Sequence, residues 1–162
     1  MTSSFKLGKY QVSESSCPIF ISEIGAFFGQ NINLACKMIS EISKISKKNS
    51  MQPLLLKTEI LHDKEICLND SLTETYISKS GIKKSELYRN IVERRVISLE
   101  KYKKIFNFCN NHSLGLIVSV YDEKGAKFAL KNNVLALKIA SFNIVNYPLI
   151  SFCAKQKIPI IL

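Results

Sequence analysis

Residues Leu114–Ser141 read LGLIVSVYDEKGAKFALKNNVLALKIAS. Two short aliphatic runs, LGLIVSVYD and VLALKIAS, flank a stretch of helix length. Neither run alternates cleanly between apolar and polar residues. Both are nearly continuous, as strands covered on both faces are. Asp122 stands directly before EKGAKFALKNN, where its carboxylate can cap a short helix. Strand, helix and strand in that order predict a parallel pair joined by a helical crossover. Lys138 interrupts the second run. A lysine buried there with its charge unpaired is strongly destabilising, so it needs a partner.

The same alternation extends in both directions. CPIFISEIG reads as a strand ending at Glu23 and Gly25. A helix is predicted from about Asn31 to Lys47, where Ile32, Ala35, Met38, Ile39, Ile42 and Ile45 recur at three- and four-residue steps. MQPLLLKTEIL is the next strand. Ser98 caps a helix whose apolar face is Leu99, Tyr102, Ile105, Phe106 and Cys109. After Ser141, NYPLISFCAKQ is a helix opened by Pro148, and IPIIL is a fifth strand. FKLGKYQV, near the N-terminus, suits a small strand or hairpin. Residues 61–95 are polar, and SGIKKSELYRNIVERR within them predicts a helix beginning near Ser80 or Gly81. Strands alternating with helices make residues 1–162 a single α/β domain with a parallel sheet.

The strand ends carry the polar residues. Glu23, Lys57, Ser119 and Ser141 lie at or just past the C-terminal ends of successive strands. In parallel α/β folds that edge is where active sites are built. EIGAFFGQN has two glycines but not the GxGxxG spacing, which makes a dinucleotide fold the weaker option.

The bulk numbers exclude several classes. The chain is 46% hydrophobic and 22% charged, an ordinary globular composition. No run approaches the roughly 20 apolar residues of a membrane helix. MTSSFKLGKY lacks the apolar core of a signal peptide, so a cytoplasmic location is expected. The five cysteines form no CxxC pair and read as reduced thiols, and the two histidines have no metal-ligand spacing to each other. The net charge of +10 fits an anion-binding surface or a solvated lysine-rich one. No basic-aromatic stacking motif accompanies it, so neither a nucleic-acid partner nor a membrane is expected.

The ordered motifs resemble those of the sialic acid synthase family. Its AEIGxNHNGxxxLA is similar to SEIGAFFGQNINLA here, and its KFQT to LLKT. STPFD is matched by SVYD, KI(A/P/G)SGExxNxPLL by KIASFNIVNYPLI, and KPxILSTG by KIPIIL. These stand in family order across almost the whole chain. The resemblance implies a (β/α)8 barrel of TIM type, of which about the first five strands are present. It implies condensation of phosphoenolpyruvate with an N-acetylmannosamine-type sugar to a nonulosonic acid, with release of phosphate. Glu23 matches the acid that serves in proton transfer or orientation near the reacting carbons. Lys138 and Ser141 match the lysine and serine that hold phosphoenolpyruvate, and Ser119 falls where the family has threonine.

The departures are equally specific. Phe27, Phe28, Gly29 and Gln30 replace Asn-His-Asn-Gly, and Asn143 replaces the glutamate of SGE. Leu55 stands at the lysine of KFQT and Lys57 at its glutamine. Two positions apart, they share a strand face, so Lys57 returns a positive charge shifted by one layer. The serine of STG would follow Leu162. A complete barrel takes about 250 residues. The histidines that hold the family's divalent metal, Mn or Mg, belong to later strands, so no cofactor is expected on this chain. The resemblance thus implies a truncated chain, inactive alone. The alternative is a non-catalytic remnant or binding module, a homodimer or the partner of a complementing second half.

Overall fold

The computed structural model describes residues 4–48, 52–67, 71–78 and 80–162. A short antiparallel hairpin comes first, β1 (Phe5–Leu7) and β2 (Tyr10–Val12). There follow β3 (Phe20–Gly25), α1 (Ile32–Lys48) and β4 (Leu54–Glu59). A polar arm, β5 (Thr73–Ile77) and β6 (Lys83–Leu87), leads into α2 (Tyr88–Glu93) and α3 (Leu99–Asn111). The chain closes with β7 (Leu116–Val120), α4 (Glu123–Lys131), β8 (Ala136–Ile139), α5 (Tyr147–Ala154) and β9 (Ile160–Ile161).

Five strands form one parallel sheet in the order β3-β4-β7-β8-β9, with β3 and β9 at its edges. The expected α/β alternation is present, and the sheet is consistent with part of a TIM-type barrel. Among the described residues the sheet is open.

Strand periodicity gives the sheet two unlike faces. One carries Ile24, Leu56, Val118, Val120, Leu137 and Ile139, each at most 1% exposed, and packs on the helices. Burying one such side chain stabilises the fold by about 1.5–3 kcal/mol. Ala35 and Ile39 of α1, Tyr102 and Phe106 of α3, and Ala129 of α4 complete this core. Ile45, placed by its spacing on the inner face of α1, is instead largely exposed. The opposite face is apolar mainly at its N-terminal end. There Leu55, Ile117 and Ala136 meet Leu7 of the first hairpin.

Caps fall where the sequence places them. Ser98 accepts from Lys101 N, and Asp122 from Gly125 N at 2.7 Å. Asp122 also meets Nε2 of His62, a side chain only 4% exposed, at 2.9 Å. One carboxylate thereby starts α4 and ties down the chain leaving β4. At the end of β3 the register slips between Glu23 and Gly25, whose φ is +46°. The buried Thr58 hydroxyl donates to the Gly25 carbonyl at 2.8 Å and fixes that bulge.

The helix expected near Ser80 is absent. Gly81, at φ +79°, instead closes the β5–β6 hairpin, and the helix begins only at Tyr88. The arm has little buried surface to betray it in sequence. It is joined to α2 through Glu86, which accepts from both Arg94 Nη atoms and from the Tyr76 hydroxyl. Those bonds, Arg94 foremost, hold the Glu86 carboxyl down at about 2.

A Cβ on Gly115 would lie 2.4 Å from Leu135 Cδ1 and 2.8 Å from Leu55 Cδ2. Gly115→Ala should therefore destabilise the protein by about 1–3 kcal/mol in urea titration. Asp122→Ala should lower stability by a similar amount, about 1–3 kcal/mol, having lost a cap and left a buried imidazole unpaired. Asp122→Asn, which keeps an acceptor at the cap, should lose less than the alanine variant in the same titration.

Candidate functional site

Residues two apart on a strand share a face, and the sheet register shows which of them are neighbours. On the face away from the helices, Glu23, Lys57, Ile117 and Ala136 form one row across β3, β4, β7 and β8. The next row toward the C-terminal ends is Glu59, Ser119, Lys138 and Ile161. Leu55, buried beneath, lies on the same face as Lys57, as their spacing predicts. Four of the five residues singled out in sequence thus come together: Glu23, Lys57, Ser119 and Lys138. The fifth, Ser141, is not on that face. Itself exposed, it opens the 3-10 turn Ser141–Asn143 just past β8.

The charges sort unequally. Lys57 Nζ and Glu23 Oε1 form an ion pair and cancel each other locally. Lys57 is mostly buried, with 12% of its side chain exposed, whereas Glu23 is 48% exposed and keeps contact with solvent. Lys138 is half-buried beside Ser119, which is 2% exposed. Among the described residues no carboxylate reaches Lys138 to form an ion pair. Glu59 shares its row but lies two strands away, about 10 Å at the usual spacing. Its carboxylate accepts instead from the Tyr121 hydroxyl. Burial, and then the negative charge of Glu59, push the Tyr121 phenol well above its usual range, so it stays a donor.

Glu59 and Tyr121 were not singled out in sequence, yet the period that links Leu55 to Lys57 also links Lys57 to Glu59 and Ser119 to Tyr121. Phe142, also missed, stacks on Tyr121 with ring centres 5.5 Å apart and planes within 8°. Two of the other divergent positions are structural. Phe28 is buried in the core, and Gln30 donates to the Val96 carbonyl at 3.1 Å, holding the loop after β3 against the chain before α3. Phe27 is exposed. Asn143 is buried, and its Nδ2 has no hydrogen-bond partner among the described residues.

A divalent metal does not fit these residues. Among the described residues no three His, Cys, Asp or Glu side chains gather as a ligand set. His62 is engaged by Asp122, and Nδ1 of His112 by the Phe108 carbonyl. All five cysteines are free thiols, and burial pushes Cys109 up to about 12. Among the described residues no helix is long and apolar enough to cross a membrane.

Comparison with solved structures places this geometry. The fold is similar to that of an N-acetylneuraminic acid synthetase from Leptospira borgpetersenii solved with citrate. The TM-score is 0.77 and the identity 18%, covering 99% of this chain and 49% of that one. It is also similar to a spore coat polysaccharide biosynthesis protein of Bacillus subtilis, with TM-score 0.69, identity 16% and coverage of 98% and 39%. A putative spore coat polysaccharide biosynthesis protein E of Chromobacterium violaceum gives 0.67 and 19%, covering 89% and 40%. The chain therefore spans half or less of the length of these structures. No curated protein matches it by sequence. The model of the NeuB family matches residues 37–162, a span that begins after Glu23 and includes Lys57, Ser119, Lys138 and Ser141. By that match the chain belongs to the NeuB family.

Proposed function

We propose that this chain is the first five strands of a TIM-type (β/α)8 barrel of a sialic acid synthase-like enzyme of carbohydrate biosynthesis. Its inner sheet face binds phosphoenolpyruvate. The observation that carries this reading is Lys138: a half-buried lysine on a strand beside Ser119, with no carboxylate paired to it among the described residues. Such a cation is poorly stabilised by the protein alone and well matched to a phosphate or carboxylate. Membership of the NeuB family supports the assignment.

In this reading the ammonium of Lys138 takes the anion as a point charge. The Ser119 hydroxyl, next in register, and Ser141, on the turn beyond β8, add hydrogen bonds to its oxygens. Lys57 contributes less as an anion ligand, because Glu23 already neutralises it. Its role is to orient Glu23, whose half-exposed carboxylate acts beside the reacting carbons. In the reaction proposed for the whole protein, the C2–C3 π electrons of phosphoenolpyruvate form the bond to the aldehyde carbon of an N-acetylmannosamine-type sugar, whose carbonyl π pair moves to oxygen and takes up a proton to give a hydroxyl. Water adds its oxygen at C2 and loses a proton, and phosphate leaves as C2 becomes a ketone. This chain supplies the anion layer of that site and no metal ligands.

The sheet edges favour a second reading. β3 carries Phe20 and Ile21, both more than 40% exposed, at an edge with no partner strand among the described residues. Unpaired edges invite association. A non-catalytic module that pairs with another copy, or with a chain supplying further strands, would use them without binding phosphoenolpyruvate.

Calorimetry separates the two. Phosphoenolpyruvate should bind the wild-type chain, and Lys138→Ala should weaken it by about tenfold or more, the loss of one charge-assisted contact. Equal affinities would make Lys138 structural, and no binding to either protein would favour the pairing module. Given phosphoenolpyruvate and N-acetylmannosamine, the 162-residue chain alone should release no phosphate. Release above the uncatalysed rate would refute its dependence on further strands.

A further inference from the structure

Past the C-terminal ends of β4 and β7, and bounded by α2, lies a cavity of about 450 Å³. Its walls include Leu61, Val92, Tyr121 and Phe142, and among the described residues its charged members are Glu59 and Arg95. That volume lies in the roughly 300–1,000 Å³ range of small-molecule sites, which are typically apolar with a few placed polar groups.

Three features make it more than a surface hollow. The aromatic wall is a stacked ring pair. Tyr121 turns its hydroxyl to Glu59, leaving the ring to the cavity, and Phe142 stacks on that ring while remaining 61% exposed. An apolar ring held in place and left open to water gains from being covered. The Arg95 side chain makes no ion pair or hydrogen bond among the described residues, although Arg89 and Arg94 beside it on the same segment both do. Finally, Glu59 and Arg95 line one cavity without pairing to each other, so a ligand can lie between them.

We propose that this cavity binds a small amphipathic organic anion. Its apolar body lies against Tyr121 and Phe142, a carboxylate or phosphate meets the Arg95 guanidinium, and a hydroxyl or amine at the other end donates to Glu59. Arginine suits the anionic end because its planar fork can give two parallel hydrogen bonds to one oxyanion. The site is separate from the Lys138 anion layer. It shares the row of Glu59, adjoins that layer through Phe142, the neighbour of Ser141, and opens one row further toward the C-terminal edge. It does not depend on phosphoenolpyruvate being the ligand below.

The probe is 3-(4-hydroxyphenyl)propionate, which has a ring, a carboxylate and a distal hydroxyl. It is titrated by calorimetry and by backbone amide shifts, beside its neutral amide. The acid should bind saturably, about tenfold tighter than the amide. Its shifts should gather at Leu61, Val92, Tyr121 and Phe142. Arg95→Gln, at an exposed position, should keep the wild-type urea midpoint and erase the preference for the acid. Phe142→Ala should weaken acid and amide alike. Equal binding of acid and amide, an unaffected Arg95→Gln, shifts gathered elsewhere, or no saturable binding would each overturn the proposal. Lys138→Ala should leave the probe's affinity unchanged, so this site and the phosphoenolpyruvate site can fail independently.

Discussion

The constraint on which everything else rests is the two-faced parallel sheet. One face must be closed by helices, because its side chains are aliphatic and almost fully buried. The strand period then sends every second residue to the other face, whatever its chemistry. Ile24, Leu56, Val118 and Leu137 commit the strands to the helices. Glu23, Lys57, Ser119 and Lys138 are thereby brought together without any local signal linking them. A one-residue slip would drive two lysines and a glutamate into the aliphatic core, so the core that stabilises the fold also enforces the site.

Within the site, pairing rather than position separates the residues. Lys57 and Lys138 are both lysines on the inner face, yet one faces a carboxylate and the other a serine. Glu59 is drawn off by Tyr121, which keeps it from quenching Lys138. Among the described residues the arrangement leaves Lys138 without a carboxylate partner, half-buried on the face whose N-terminal end is closed by Leu55 and Leu7. An anion there meets fewer competing waters than on an open lysine-rich surface, and the attraction is correspondingly stronger.

The parts of the fold legible in sequence were those written in apolar residues. Continuous runs such as LIVSV and ALKI declare buried strands, and Ser98 and Asp122 declare helix starts through side-chain chemistry alone. The β5–β6 arm was not legible because TETYI and KKSEL bury almost nothing, and stability drawn from cross-strand pairs leaves no hydrophobic period. The SG dipeptide at Ser80 and Gly81 was a turn signal that the neighbouring helix formers outweighed. Glu23 and Lys138 could be picked out as strand-end polar residues. That Glu23 would neutralise Lys57 follows from register, which only the paired strands define.

The order of the sheet, β3-β4-β7-β8-β9, is also the order of the chain. No strand has to be inserted between two that are already paired, and each helix returns the chain beside the strand just laid down. The sheet can therefore grow outward from its first strand as synthesis proceeds, with one exposed edge advancing at a time. Among the described strands of the sheet β9, with two residues, is the shortest. During assembly each newly laid strand covers the edge of the one before it.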